Sequence, residues 1–317
     1  GLLIVQVQAL NVASLTLSSS GDVRFLSSLT VSGDVDVNGT AGTFGALFIE
    51  GAGTVNGNVS LGGNTASGID GSVSGTGTGS LQVAGNFTWR TGDLADIDVT
   101  VTGTTSMETT GLKQLNAGAS LTLNGATTWS AGTLQFVSAS SITNNNTFTV
   151  TADPAFIDNG GGVASAFNNT ATGSFIINTA APDVTVEIPF NNDGTMSFTS
   201  GDVVRLWGGG TTAVTVDVPS GAELSLSGNH LWDVGSDLTG TGTLRISGGT
   251  SPGNRFTDTF SFAGDIISDT SGLLIVQVQA LNVASLTLSS SGDVRFLSSL
   301  TVSGDVDVNG TAGTFGA

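Results

Sequence analysis

The chain has no cysteine and no tyrosine, and only seven of its 317 residues are lysine or arginine. Because cysteine is absent, neither disulfides nor thiolate metal sites can form, and stability must come from backbone pairing and core packing. The seven basic residues face 25 acidic ones, for a formal net charge of −18. Binding to a phosphate backbone therefore has almost no electrostatic support, and we expect no nucleic acid partner.

Long hydrophobic runs are also missing. A membrane helix needs about 20 consecutive apolar residues, whereas the longest candidate stretch, Leu2 to Val7, has only the length of a strand. The sequence begins without methionine and lacks a charged segment followed by an apolar core, so we expect any export signal to be encoded elsewhere. Insertion into a membrane is therefore not expected.

The residues that are abundant indicate an ordered β protein. Glycine occurs 47 times, and serine, threonine, asparagine and aspartate fill the spaces between short apolar stretches. A hydrophobic fraction of 38% and a mean hydropathy of +0.27 argue against disorder, which requires low hydrophobicity. The apolar residues are mostly Val, Leu, Ile and Phe in alternation with polar ones, which is the composition of strands.

An exact internal repeat organises the sequence. Residues 1–46 and 272–317 are identical letter for letter. The junction, from Ile266 to Val276, contains no proline-rich or charged linker. We therefore interpret residues 1–271 as one complete repeat and residues 272–317 as the start of the next identical one, within a longer tandem array.

Alternating segments and their spacing predict a solenoid. Segments such as Val35-Asp36-Val37 have the period of two that is typical of a half-buried strand. The motif that begins at Phe167 recurs at Phe190, a spacing of one coil, and the motif around Trp89 recurs around Trp129, close to two coils. Three short strands and three turns need about 20–25 residues, so the fold class is predicted to be an all-β parallel β-solenoid with coils of that length.

This coil length predicts the dimensions of the repeat. At about 4.8 Å per stacked strand, roughly 11 to 13 coils would advance the solenoid by about 55–65 Å. A string of β-sandwiches would also use short strands and glycine-rich turns, but it requires domain linkers that the sequence does not contain.

Asparagine pairs and tryptophans are the candidate structural residues. Four asparagines recur at the coil spacing, and stacked amides one coil apart can form a hydrogen-bonded ladder; the alternative is that Asn serves only the backbone of turns. They are Asn168, Asn169, Asn191 and Asn192. The tryptophans are expected to fill the core or its corners, with glycan stacking as the alternative. They are Trp89, Trp129, Trp207 and Trp232, of which Trp232 stands in a related motif that is one residue longer.

The stretch from Ile142 to Leu206 contains I-T-N-N-N-T-F-T-V, A-F-N-N-T-A-T-G-S-F and P-F-N-N-D-G-T-M-S-F, with T-W-S-A-G-T-L before it. These motifs resemble the F-N-N-x-G-T-F and T-W-S-G-G-T-L repeats of giant repetitive bacterial cell-surface proteins. More distantly they are similar to filamentous-haemagglutinin-like and autotransporter-passenger solenoids. The resemblance covers about two thirds of the repeat and implies a secreted, elongated, right-handed solenoid used for adhesion or as a fibre. It transfers no catalytic residue.

Few residues offer catalytic chemistry. His230 is the only histidine and Lys113 the only lysine. The sequence around His230 reads as a strand edge entering an apolar position, so we expect no catalytic role for it and no enzymatic activity. The alternative is a solenoid that binds or degrades polysaccharides. Such a site would need basic residues or paired carboxylates in a groove, whereas the acids here are scattered singly.

Two pairs of aspartates are weak candidates for calcium sites. Asp34 and Asp36, and likewise Asp96 and Asp98, place two carboxylates on one face of a strand. Calcium binds clustered oxygen ligands and is abundant outside cells. The competing interpretation is that these aspartates serve turns and the solvated face, because the glycine-rich nonapeptide of calcium-binding parallel rolls is absent.

Taken alone, the sequence predicts a structural segment of an extracellular or cell-surface filament. Its expected partner is itself, head to tail, with other cells or surface glycans as further partners. The two identical segments are expected to adopt one conformation. In it, Leu3, Val5 and Val7 face inward, as do their equivalents Leu274, Val276 and Val278.

Overall fold

A computed structural model describes residues 2–6, 9–18, 21–38, 45–63, 71–152, 155–159, 165–178, 183–249, 251–269, 273–277, 281–289, 293–297 and 299–309. Within these residues the chain is all-β, with parallel strands stacked in a β-solenoid. There are about 13 turns of roughly 21 residues. The predicted fold class and coil length are therefore confirmed. No helix in this part of the chain is long and apolar enough to cross a membrane.

The chain divides into two compact segments, residues 1–168 and residues 169–317, which do not coincide with the sequence repeat and its copy. The strands of the N-terminal segment are β1 (Leu2–Val5), β2 (Ala9–Val12), β3 (Leu15–Ser18), β4 (Asp22–Phe25), β5 (Ser28–Val31), β6 (Val35–Asn38), β7 (Ala46–Ile49), β8 (Ala52–Val55), β9 (Val59–Leu61), β10 (Ser72–Val83), β11 (Phe87–Trp89), β12 (Gly92–Val101), β13 (Thr105–Met107), β14 (Lys113–Asn116), β15 (Ser120–Leu123), β16 (Thr127–Trp129), β17 (Thr133–Phe136), β18 (Ser141–Asn144), β19 (Thr147–Val150) and β20 (Ala155–Asn159).

Strand β21 (Ala166–Asn169) reaches the first residue of the C-terminal segment. The strands that follow are β22 (Ser174–Ile177), β23 (Asp183–Val186), β24 (Phe190–Asn192), β25 (Thr195–Ser197), β26 (Val203–Leu206), β27 (Gly210–Thr212), β28 (Thr215–Val218), β29 (Glu223–Leu226), β30 (His230–Trp232), β31 (Asp237–Gly240), β32 (Thr243–Ile246), β33 (Asn254–Phe256), β34 (Thr259–Phe260), β35 (Asp265–Ser268), β36 (Leu273–Val276), β37 (Leu281–Val283), β38 (Ser285–Ser289), β39 (Asp293–Phe296), β40 (Leu300–Val302) and β41 (Val306–Asn309).

Each turn supplies three strand positions, which we call in chain order from β1 the first, second and third side. In the N-terminal segment β1 pairs with β4 and β4 with β7 on the first side, β2, β5 and β8 pair on the second, and β3, β6 and β9 on the third. Strands β10 and β12 each span two sides. The start of β10 pairs with β7 and its end with β8, while the start of β12 pairs with β14 and its end with β15.

The core forms because alternate residues of each short strand point inward. In β6, for example, Val35 and Val37 are buried, whereas Asp36 and Asn38 lie half-buried on the outside. Aromatic side chains fill the wider parts of the interior, as where the Phe148 ring packs edge-on against that of Phe167 with 5.2 Å between ring centroids. Each fully buried side chain of this size contributes roughly 1.5–3 kcal/mol relative to an exposed one.

The two identical sequence segments have the same strand register. Leu2 lies opposite Asp22 in β1 and β4, and Leu273 lies opposite Asp293 in β36 and β39. The other two strand pairs of the segment also correspond, β2–β5 with β37–β40 and β3–β6 with β38–β41. The predicted agreement between the copies is therefore confirmed for their pairing.

Burial differs between the copies where the neighbouring strands differ. Leu274 and Val276 are fully buried in β36, which pairs with β33 and β39. Leu3 is 59% exposed in β1, which pairs only with β4 among the described strands. Val7 and Val278 lie outside the described residues.

Candidate functional site

A column of glycines forms the corner between the second and third sides in the N-terminal segment. The amide of Gly57 donates to the carbonyl of Gly33, and that of Gly85 to Gly57, at 3.2 and 3.1 Å. A Cβ atom on Gly57 would lie 2.4 Å from the carbonyl carbon and oxygen of Gly33. Gly85 and Gly103 would meet the turn before them equally closely. Only glycine permits this backbone approach, which fixes the height of each turn.

Next to this column runs a ladder of polar side chains, which we call the corner ladder. The Asp34 Oδ1 atom accepts hydrogen bonds from the backbone N–H and the side-chain amide of Asn58, at 2.7 and 3.1 Å. Asn58 Oδ1 accepts from the Asn86 N–H at 3.0 Å, and Asn86 Oδ1 accepts from the N–H and hydroxyl of Thr104. Each rung satisfies a backbone donor of the next turn. This ladder was not predicted from the sequence, although a polar residue follows a glycine at every rung.

A second ladder includes Asn169 and Asn192, which are among the predicted structural asparagines. The Asn169 side-chain amide donates to Asn192 Oδ1 at 2.7 Å and to the Thr195 carbonyl at 2.9 Å, and both asparagines are buried. Asn191 lies half-buried on the outer surface, where its Oδ1 accepts from the Thr211 hydroxyl at 3.2 Å. Asn168 is likewise half-buried on the outer side of β21.

The structure separates the tryptophans into two groups. Trp89, Trp129 and Trp232 are at most 1% exposed and lie in the core. Trp89 and Trp129 occupy the same place on β11 and β16, two turns apart, with Met107 of β13 between them. Trp207 is different, because 41% of it is exposed and the guanidinium carbon of Arg205 lies 6.0 Å from its ring centroid.

The aspartates proposed for calcium lie in two shallow depressions. Asp34 and Asp36 border a groove of about 340 Å³ together with Asn58 and Arg90. Asp96 and Asp98 border a smaller one of about 90 Å³. Within the described residues, no group of three or more histidine, aspartate or glutamate side chains is placed to hold a metal ion. Calcium binding at either pair stays a prediction.

The single histidine is packed inside the solenoid. His230 is completely buried on β30, and its Nε2 atom lies 2.9 Å from the Thr212 hydroxyl. Burial lowers the pKa of the ring to about 4, so the imidazole is neutral at physiological pH. The buried ring is part of the core behind the second side.

The single lysine fills a cage of backbone carbonyls. Lys113 is fully buried, and its Nζ donates to the carbonyl oxygens of Thr109, Gly111 and Ala131 at 3.1, 3.2 and 3.1 Å. Burial lowers its pKa to about 8, against the opposing effect of Glu108. The ammonium group thereby satisfies three backbone carbonyls at this corner.

The arginines form ion pairs along the outer surface, most of them between successive turns. Arg245 illustrates the arrangement, since it bonds Glu223 of one neighbouring strand at 2.9 Å and Asp269, just beyond the other, at 2.6 Å. The remaining pairs are Arg24–Glu50, Arg90–Glu108, Arg205–Asp183 and Arg295–Asp293. Five of the six arginines therefore pair with an acidic residue.

Apolar side chains are exposed on the first and the last described strand, β1 and β41. Leu3 and Ile4 of β1 are 59% and 46% exposed, and Val306 and Val308 of β41 are 58% and 53% exposed. The equivalents of these two valines in the first copy, Val35 and Val37, are buried beneath β9. No family model, curated protein or solved structure matches this chain.

Proposed function

We propose that the chain is a section of a secreted structural fibre, in which β-solenoid repeats, each equivalent to residues 1–271, stack end to end in a continuous array at a cell surface or in a matrix. The duplicated segment is the observation that carries this proposal. The second copy begins with β36, which pairs with β33 of the preceding repeat, and its Leu274 and Val276 are fully buried there.

Exposed strand edges favour the addition of further turns. A solenoid end presents unpaired backbone N–H and C=O groups together with apolar side chains, and both are satisfied by another turn of the same kind. At the boundary between the two copies, burying Leu274 and Val276 and pairing β36 with β33 stabilises the junction by several kcal/mol, at about 25 cal/mol per Å² of apolar surface. Another copy of the repeat supplies a strand of matching pattern.

The test is end-to-end association of this chain. We expect its mass in solution to rise with concentration, measured by light scattering after size exclusion. Val306→Lys with Val308→Lys should abolish this rise, because two charges would then be buried at the junction. The control is Asp307→Lys, which changes the outward-facing residue between them. A chain that stays monomeric at every concentration, or that associates equally in all variants, contradicts the proposal.

Adhesion to glycans is a second candidate, favoured by Trp207. An exposed indole next to a guanidinium can stack on the apolar face of a sugar while the cation bonds a hydroxyl. Trp207→Ala should then reduce retention on a panel of immobilised polysaccharides at least tenfold. The control is Val234→Ala, at a residue that is 77% exposed. Equal retention of both variants rules the site out.

We also propose that the chain belongs to the giant bacterial surface proteins whose motifs it resembles. It is supported by the parallel solenoid fold and by the repeats in the sequence. On this basis the fibre is secreted and displayed outside a bacterial cell, with adhesion or cell contact as its role.

A further inference from the structure

The second side of the N-terminal segment carries a regular row of threonines on its outer surface. The strands that stack there in register are β5, β8, the end of β10, the end of β12, β15 and β18. The middle outward residue of each strand lies opposite that of the next. We call these residues the threonine row: Thr30, Thr54, Gln82, Thr100, Thr122 and Thr143. The whole row lies within one compact segment.

Two further rows of small polar side chains flank the threonine row. The row before it consists of Ala52, Ser80, Asp98, Ser120 and Ser141. The row after it, whose backbone N–H groups continue the ladder between turns, consists of Asn56, Ala84, Thr102, Asn124 and Asn145. Of the residues in these three rows only Asp98 is charged, although the chain as a whole has a net charge of −18. The second side is therefore an almost uncharged surface of hydroxyl and amide groups.

The hydroxyl groups of the threonine row have no hydrogen-bond partner among the described residues. In the row after it, by contrast, the Thr102 hydroxyl donates to the Val83 carbonyl at 3.0 Å, and the Asn145 amide donates to Asn124 Oδ1 at 2.8 Å. All five threonines of the row are half-buried, and a β-branched side chain in a strand has few rotamers. Their hydroxyls are thus held in a repeating arrangement and are free to bond a partner outside the protein.

Turns of unequal length do not disturb the threonine row. Thr54 and Gln82 are 28 residues apart in the sequence, whereas Gln82 and Thr100 are only 18 apart. Both pairs nevertheless lie directly opposite each other on neighbouring strands. The additional residues lie outside the paired strands, so the spacing of the row along the axis is that of the sheet, about 4.8 Å.

The spacing of these groups is close to that of hydrogen-bonded water. Outward residues of one strand are about 6.7 Å apart, and those of successive turns are about 4.8 Å apart. In a tetrahedral lattice of water with about 2.75 Å between bonded oxygens, next-nearest oxygens are about 4.5 Å apart, and the lattice repeats after about 7.3 Å at right angles. Each protein spacing is within about a tenth of the lattice spacing. Hydroxyls can therefore take the places of lattice oxygens, while the threonine methyl groups order the water beside them.

We propose that the threonine row and its two flanking rows form a binding surface for ice, a function additional to the proposed fibre. A charged ligand would find no partner on these rows other than Asp98, and a sugar ring would find no aromatic side chain on which to stack. An ordered water lattice needs neither of these. It needs hydroxyl and methyl groups repeated at the lattice spacing, which this surface provides.

Incorporation into slowly growing ice tests this proposal. The measured quantity is the ratio of the protein concentration in the ice to that in the remaining liquid. We expect the unaltered chain to be enriched in the ice over a non-binding globular protein. Thr122→Lys should lower the ratio about tenfold or more, because a charged side chain would be held against the lattice without a partner. The matched control is Thr128→Lys on the next strand, β16 of the third side, which should leave the ratio unchanged.

Gln82→Thr gives a second readout, since it completes the threonine row and should raise the ratio by adding a matching group between two others. Exclusion of the unaltered chain from ice, or equal ratios for the Thr122→Lys and Thr128→Lys variants, contradicts the proposal. Loss of retention on crystalline polysaccharide in Thr122→Lys, with unchanged incorporation into ice, would assign the surface to a sugar lattice and overturn it too. End-to-end association should be equal in all variants, so failure of the ice surface leaves the proposed fibre intact.

Discussion

The burial of His230 makes the free energy of unfolding depend on pH. The folded protein takes up a proton on this ring, whose pKa is about 4, well below the pKa of about 6.5 of an unfolded histidine. Between these values the unfolded chain binds more protons, so the free energy of unfolding decreases as pH falls from 6.5 to 4. The free energy of unfolding that is lost between pH 7 and pH 4 is on the order of 2–4 kcal/mol.

We therefore expect His230→Gln to flatten this part of the pH dependence, since glutamine does not titrate there. Urea unfolding of both proteins between pH 4 and 7 measures the effect, and the difference between them removes the contribution of the carboxylates. Parallel curves for the two proteins would show that the histidine is protonated at the same pH in both states.

Lys113 has the same effect in an alkaline pH range. Its pKa is lowered to about 8 in the folded protein, and an unfolded lysine has a pKa of about 10.4. Between these values the unfolded chain again binds more protons, so stability rises with pH in this range. Lys113→Met should remove the rise, as measured by urea unfolding from pH 7.5 to 10.5. It should also lower stability at pH 7.5 by about 1–3 kcal/mol, because three buried carbonyls lose their donor.

At the scale of the turn, the glycine column sets how closely successive corners approach. Gly57→Ala places a methyl group 2.4 Å from the backbone of Gly33, and neither strand can move without breaking its pairing. We expect a loss of about 2–4 kcal/mol in the free energy of unfolding. Gly21→Ala is the matched control, because a Cβ there meets nothing within 4 Å and should be neutral or slightly stabilising.

The two ladders show what the sequence could and could not reveal at this scale. The Asn169–Asn192 bond has the same spacing as the repeated motif that was read from the sequence. The corner ladder has offsets of 24, 28 and 18 residues between successive rungs. Turns of unequal length place equivalent corners at irregular intervals in the sequence, so a search for fixed spacing does not find them.

The fold itself could be predicted because its signals are local and repeated. Alternation in segments such as β6 identifies strands directly, and the exact copy identifies a tandem array. The exposure of Trp207 could not be read from the sequence, because it depends on which side chains of the neighbouring turns surround the corner.

For the whole molecule, we propose that the repeat is one section of a continuous solenoid. The two copies of the duplicated segment have the same register, and most of the arginine ion pairs join successive turns. A net charge of −18 keeps such sections soluble and opposes lateral association at low salt. Growth along the axis is then favoured over bundling.

The length of tandem arrays tests this account most directly. Proteins made of one, two and three copies of the repeat should appear in negative-stain electron micrographs as unbranched rods of constant width. Each added repeat should lengthen the rod by about 55–65 Å, the rise of roughly 11 to 13 turns at about 4.8 Å per turn. Rods with a flexible joint at every repeat boundary, or increments clearly different from this value, would contradict the continuous solenoid.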